Sequence, residues 1–544
     1  MIKQRILEDL KVAVKELNLP VTDIVCTISK NPQFGDYSTN LALQLAKLKE
    51  DNGKQSPIEI ANKILEKLRS FGSAQDNFYE IKIAGNGFIN FFVKPEFLAK
   101  DLSEILEKGD DFGRLEKTEK KGRIEFVSAN PTGPLHIGNA RSGPIGDVIA
   151  NVLEAQGYEV IREFINNNVG EQVKALGATI KAKYHGNSPE ENQYQGEYVN
   201  ELVSELQEDI EDKSDEEIGQ LALEKLHEEI LADCHSMGIK FDFIVHESQL
   251  RKEVPQVLDD LKNKGVVKEK DGALWFAPND EFLKDRETVV QKSDGGYTYF
   301  VADIVYHKIK FESGADLIVD VFGSNHHGHV PRLQAAMVAL GFDPKRLKVI
   351  LYQYVRVKRG NDVVKMSKRA GNFITAREVL DEVGKDAFRF YLLRFSPQTH
   401  MDFDLELLKQ QSKDNPVYYV QYAHARMSNI LLKSQNSNQH TPPSEAKSQI
   451  DYKKLANEYE LNLIKHLLAF PDLIKELSET LQVHQLTEYA IGLADYFHKF
   501  YENCPVLQAE NDQLGQARLA LVKASKITLA NTLAILGVSA PERM

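Results

Sequence analysis

At 544 residues, 42% hydrophobic and 27% charged, the chain is long enough for three or four domains with separate cores, and its composition excludes a disordered or fibrous protein. The net charge of −13 speaks at first against a nucleic-acid partner, but sixteen acids against only Lys213 and Lys225 fall between Asn187 and Asp233, so the rest of the chain is close to neutral. Cys26, Cys234 and Cys504 are isolated and fit neither a disulfide framework nor a paired-cysteine zinc site, the first residues lack the apolar core of a secretory signal, and no run approaches the roughly 18 apolar residues of a membrane span. The expectation is a cytoplasmic protein without membrane contact.

In chain order, helical apolar patterns at Ile2 to Leu17 and Pro57 to Leu68 and a strand-turn-strand pattern at Tyr79 to Val93 predict a small α/β module over residues 1–118. It closes with a charged linker, Glu107 to Gly122. Over 119–400, short apolar strands alternate with helices: RIEFV (Arg123 to Val127), a helix ending at Gly157, VIREFI, DLIVDVFG and KVILYQYVRV. The alternation predicts a Rossmann-type, doubly wound parallel sheet of the α/β class. An insertion at about 173–293 holds the acidic segment. Residues 401–544 read as an all-α bundle with one unpackable loop, Ser434 to Lys447.

Two segments carry chemistry. Ser128 to Asp147, SANPTGPLHIGNARSGPIGD, lies where the first strand gives way to a helix, a junction that aims free backbone N–H groups at an anion. In it His136 and Asn139 are three apart at a helix start and share a face, Gly138 lets a nucleotide approach the backbone, and Pro144 requires a kink or a later helix start. Far downstream KMSKR (Lys365 to Arg369) offers Lys365 and Lys368 as point charges for a triphosphate, with Gly360 and Gly371 as hinges. Lys345, Arg346, Lys348, Arg356, Lys358 and Arg359 crowd the same stretch, either as a phosphate-facing surface or as a solvated charged face. The cluster Asn325, His326, His327 and His329 is rich in metal ligands, yet it follows a strand with no cysteine or acid near it in sequence, and no metal is expected there.

The two segments, in this order, resemble the HIGH and KMSKS motifs of class I aminoacyl-tRNA synthetases, with Asn139 in place of the second histidine and Arg369 in place of the last serine. The resemblance implies ATP, bound with Mg2+ as a substrate complex, held by Pro131, Thr132, Gly133, Pro134, His136, Gly138, Asn139, Met366 and Ser367. His136, Asn139, Lys365 and Lys368 would be its catalytic set. The attacking carboxylate is already charged, so positioning and charge neutralisation rather than a general base drive the first step.

Glu125 and Asn130 bracket the end of the first strand, and Tyr299 and Asp303 are a helical turn apart. On their own the latter two read rather as a packed tyrosine and a surface aspartate. With GYTYFVADIVYHK and GSNHHGH beside them they resemble arginyl-tRNA synthetases, because carboxylates with a tyrosine suit a planar guanidinium. The resemblance implies an arginine pocket of Glu125, Ser128, Ala129, Asn130, Tyr299, Asp303, Asn325 and His326, tRNA(Arg) as partner, activation that requires bound tRNA, and a monomer. At the ends of the chain, NPQFGDYSTNLA and GNGFINF resemble the family's additional N-terminal domain, with Phe88 as a base-stacking platform or a core strand residue and Asn90 as its hydrogen-bonding neighbour. VYYVQYAHARMSNIL and the C-terminal QARL run resemble the DALR anticodon-binding fold, with Tyr418 and Arg426 as RNA contacts and Tyr419 and Tyr422 as bundle core. The rival readings are another class I synthetase and a non-catalytic tRNA-binding paralogue.

Overall fold

The computed structural model describes all residues except 1, 21–23, 30–31, 49–55, 71–78, 188–192, 284–285, 361, 365–373 and 437–449. Five parallel strands make the central sheet, in spatial order Leu347–Tyr352, Leu317–Gly323, Lys121–Glu125, Glu159–Asn166 and Phe243–His246. Numbered along the chain this is five, four, one, two, three, the doubly wound order, and the winding reverses between the first and fourth strands. Alternate residues bury on opposite faces: Ile124, Val319 and Val321 join the core that holds helix Ser142–Ala155, while Ile318 and Ile165 join the core that holds helix Tyr299–Glu312. Burial on both faces is why these strands read as nearly continuous apolar runs.

Three expectations need correction here. The insertion is not wholly external, because Phe243–His246 within it pairs with Glu159–Asn166 as the sheet's edge strand. The run KVILYQYVRV is two strands in two sheets: Leu347–Tyr352 belongs to the central sheet, and Val355–Arg359 pairs with Met401–Asp404 and Asp362–Val363. The corner between them is held by buried Arg141, whose guanidinium donates to the carbonyls of Gln353 (2.8 Å), Thr399 (2.9 Å) and Ser396 (3.0 Å). The linker is also less free than its charge suggests, since Phe112 is buried in a ring stack on Phe470 and Asn531 donates to the carbonyls of Gly109 and Phe112.

The N-terminal module is an antiparallel sheet in the order Thr27–Ile28, Tyr37–Thr39, Phe88–Val93, Tyr79–Ala84, covered by helices Ile2–Glu16 and Pro57–Arg69. Ser56, Pro57 and Glu59 start the second of these with a reciprocal capping box and a proline that needs no N–H partner. Buried Asp36 accepts from the Val93 amide and pairs with Lys465 of the C-terminal bundle at 2.5 Å, which ties the two ends of the chain together.

In the bundle the apolar run at Leu461 to Leu477 splits into Glu458–Leu468 and Phe470–Thr480, because Pro471 cannot donate to the preceding turn. Helix Pro416–Asn436 takes up the start of the expected loop, whose remainder lies outside the described residues. Contrary to the sequence expectation, helix Asp512–Leu536 is long and apolar enough to cross a membrane; it is the bundle's central helix, mostly buried by its neighbours. Buried Arg389 joins three regions: it pairs with Asp147 at 2.5 Å, and donates to Met237 O (2.9 Å) and Leu536 O (3.0 Å).

Candidate active site

A cleft of about 1480 Å³ opens at the carboxyl ends of the first and fourth strands, where the sheet's winding reverses. The chain enters it through a strained corner: Val127 and Ser128 hold φ of 66° and 37°, and a β-branched residue there is sterically disfavoured by about 1–3 kcal/mol. The strain turns Ser128, Ala129 and Asn130 into the cleft. Ser128 Oγ accepts from the Ile165 amide (3.1 Å) and Asn130 Oδ1 from Asn167 (2.8 Å), so neighbouring backbone and side chains hold the corner in place.

At the end where the amino acid is expected, Glu125, Tyr299, Asp303, Asn325 and His326 all line the cleft. Asp303 Oδ2 lies 2.9 Å from His329 Nε2. Burial works to lower the His329 pKa, but the hydrogen bond to Asp303 outweighs it and the net shift is upward. Glu125, however, does not offer the open carboxylate expected of it. It is buried and its Oε2 accepts from Lys310 Nζ at 2.7 Å. The second open acid is Glu247, which follows the edge strand. It is 1% exposed, its Oε1 accepts from Arg251, and its Oε2 has no hydrogen-bond partner among the described residues. Burial raises the Glu247 carboxyl above its usual range, with Arg251 opposing and Asp303 adding to the shift. Tyr299 is 49% exposed beside these two acids, and its pKa is raised by burial and by Glu247.

At the nucleotide end the described partners are neutral side chains and backbone. His136 caps the short helix Ile137–Ala140, its Nδ1 accepting from the Asn139 amide at 3.1 Å, which leaves the proton of a neutral ring on Nε2. Regular helix resumes at Ser142, so Pro144 lies in a first turn where its missing N–H is harmless. Thr132, Gly133, Pro134 and Asn139 line the cleft; Pro131 and Gly138 do not. A Cβ at Gly138 would come 3.1 Å from the His136 ring, so the glycine makes room for that ring rather than for a nucleotide. Tyr198, from the acidic insertion, donates to the Thr132 carbonyl at 3.0 Å and packs against Gly133.

Lys365, Met366, Ser367, Lys368, Arg369 and Gly371 lie outside the described residues. The residues that follow them are tied to the first motif: Ile137 N donates to Ile374 O, Ala376 N to Leu135 O, and His136 and Thr375 form a β-bridge. Much of the remaining basic cluster is already engaged: Arg346 with the Ala315 and Phe311 carbonyls, Arg356 and Lys358 with Asp402, and Arg359 with Glu382. It is therefore largely a paired surface, not an open phosphate-facing one.

Away from the cleft, Phe88 is 44% exposed at the start of its strand. Asn90 is 2% exposed and its Oδ1 accepts from Ser38 at 2.7 Å, so it braces two strands and does not reach outward as expected. In the bundle Tyr418 stacks on Tyr422, which is exposed and not core, and Arg426 lies 4.5 Å from the Tyr501 ring centre. Tyr419 is half-buried and donates to Asp495, and buried His424 donates to Pro541 O.

Glu247, Arg141, Tyr198 and Lys310 escaped the sequence reading, and His329 was weighed there only as a metal ligand. One signal was available for Glu247: it comes directly after an apolar run, FIVH, and the carboxyl end of a parallel strand is where such sheets bind ligands.

The doubly wound sheet, the cleft at its switch point and the histidine-capped helix define a class I aminoacyl-tRNA synthetase, and residues 101–392 match the family model described as the catalytic domain of class I (R) tRNA synthetases. Residues 1–93 match the arginyl tRNA synthetase N-terminal domain, and 420–544 the DALR anticodon binding domain. The chain is 40% identical to the arginine–tRNA ligase of Carboxydothermus hydrogenoformans, covering 95% of this chain and 93% of the relative. It is 39% identical to that of Staphylococcus carnosus, covering 100% and 99%. The arginyl-tRNA synthetase structure from Thermus thermophilus superposes with a TM-score of 0.80, at 22% identity and full coverage of both chains, and shares the fold. The chain belongs to the arginyl-tRNA synthetase family.

Proposed function

We propose that the cleft activates arginine with ATP and transfers it to tRNA(Arg). The carboxylate of arginine attacks the α-phosphorus and pyrophosphate leaves; a hydroxyl of the terminal adenosine then attacks the acyl carbon of the adenylate, forming the ester as its proton is lost and AMP leaves. Glu247, Asp303 and Tyr299 read the guanidinium, while Ser128, Ala129, Asn130, Asn325 and His326 shape the rest of the pocket. His136 and Asn139 orient the phosphates, the Pro131–Pro134 turn seats the nucleotide, and Lys365 and Lys368 neutralise the triphosphate, which arrives with Mg2+ as a substrate complex. Phe88 in the domain spanning 1–118 and Tyr418 and Arg426 in that spanning 401–544 meet tRNA, on either side of the catalytic domain, 119–400. The protein acts as a cytoplasmic monomer away from membranes.

The observation that carries this reading is the unpartnered, buried Oε2 of Glu247 in the cleft that Asp303 and Tyr299 also line. A buried carboxylate oxygen without a donor is costly, and a guanidinium supplies planar donors for two acids at once. ATP–pyrophosphate exchange driven by each candidate amino acid, with and without tRNA, tests it. Exchange is expected with arginine and tRNA together. Exchange with a different amino acid would overturn the specificity, and none under any condition would leave a tRNA-binding paralogue.

A further inference from the structure

Beneath the amino-acid end, Asp320, Glu125 and Glu163 are register partners on three adjacent parallel strands and are all buried. Three carboxylates in a row repel one another, and without cations beside them some would take up protons. Lys310, fully buried on the Tyr299 helix, donates to Glu125 Oε2 at 2.7 Å and to Asp320 Oδ1 at 2.8 Å, with its ammonium 4.2 Å from the Tyr306 ring centre. His307 donates through Nε2 to Asp320 Oδ2 at 2.7 Å and through Nδ1 to the Asp303 carbonyl at 2.8 Å. Arg123 donates to Glu163 at 2.9 Å. Burial works to raise the Asp320 carboxyl, but Lys310 and His307 outweigh it and hold it below its usual range. The three acids thus meet Lys310, Arg123 and His307, the last lying between two acceptors, the Asp320 carboxylate and the Asp303 carbonyl. Although ligand atoms of Glu125, His307 and Asp320 lie within 4.8 Å of one another, it is the Lys310 ammonium, not a metal, that bridges Glu125 and Asp320.

We propose that Lys310 is a positioning residue for amino-acid binding: by holding Oε2 of Glu125 it turns the carboxylate's other oxygen to the cleft, where it receives the α-ammonium of the substrate. The inference rests on the reading that this cleft binds arginine. Glu125 lines the cleft while one of its oxygens is occupied, so it presents a single acceptor. A single acceptor suits a compact ammonium, whereas the several planar donors of a guanidinium are best met by two acids together, the remaining oxygens of Glu247 and Asp303. Glu125 also stands at the start of the chain segment that runs through Ser128 to His136, on the side of the cleft where the carboxylate must meet ATP.

The test compares the full-length parent with Lys310→Met and with Lys310→Met/Asp320→Asn, which restores the charge balance should the single variant fail to fold. Exchange is measured with tRNA present, together with competition by 5-guanidinopentanoate, which is arginine without its α-ammonium. The parent should prefer arginine over this analogue. In a folded variant the arginine KM should rise by about ten- to a hundredfold with the ATP KM within about twofold, and the preference over the analogue should largely disappear. An undirected packing defect would weaken arginine and analogue alike. A parental arginine KM and preference in a folded variant overturns the proposal, as does loss of folding in both variants, which would make the group structural. A parent without arginine-dependent exchange would instead overturn the underlying reading.

Discussion

The two ends of the cleft are built from different materials. The amino-acid end is ionic and already paired: Asp303 meets His329, Glu247 meets Arg251 and Glu125 meets Lys310. The described part of the nucleotide end is neutral, made of a histidine cap, a proline-bounded turn and backbone amides held by Ile374 and Leu135. On the proposed reading a cationic substrate is met by acids that the fold already holds against cationic or histidine partners, whereas a polyanion is met by fixed dipoles. The amino-acid end should accordingly answer to changes of charge, and the nucleotide end to changes of shape.

The sharpest way to break this contrast is Asp303→Ala, which should cost arginine binding about 2–4 kcal/mol, read as a rise in arginine KM with ATP KM almost unmoved. An equal rise in both constants would show that the ends are not separate. Glu247→Gln keeps the shape and removes the charge, and about 1.5–3 kcal/mol of arginine binding should go with it. Tyr198→Phe addresses the other end. Losing its bond to the Thr132 carbonyl should raise ATP KM by a factor that corresponds to about 0.5–1.5 kcal/mol, with arginine KM unchanged.

The smallest effect concerns pH. The pKa of His329 is raised above its ordinary value near 6.5, so the stability from its pairing with Asp303 is full below that value and is lost as pH rises through the raised pKa. Over the same rise the imidazolium stops competing with arginine for Asp303, so arginine KM should fall by about two- to fivefold between about pH 6.5 and 8.5. His329→Gln should flatten the profile, and a slope that survives this change would assign it to another group.

What could be read in advance follows the same division. The proposed nucleotide end is local, a strand, a turn and a helix start within some twenty residues, so SANPTGPLHIGN declared itself, and His136 and Asn139 fall at a helix start as their spacing predicts. The amino-acid end is assembled across the chain. Tyr299 and Asp303 were visible through helical spacing, but Glu247 lay in the long insertion, and nothing in the local sequence marks Lys310, whose partners Asp320 and Glu125 come together only in the sheet. The strand break after Tyr352 was hidden for a similar reason, since the corner is held by Arg141 from more than two hundred residues upstream. Asn90 and Tyr422 exchanged their expected roles, the asparagine inside and the tyrosine outside, because strand alternation and helix facing are set by partners that single residues do not announce.

Arg389 ties the last turn of the C-terminal helix to Asp147 on the helix that follows His136, and Asn151 of that helix adds a second link to the Ile535 carbonyl. Leverage follows from this. Helix Asp512–Leu536 cannot tilt about its last turn without straining the Arg389 and Asn151 links, so a displacement of the bundle bears directly on the helix that follows His136.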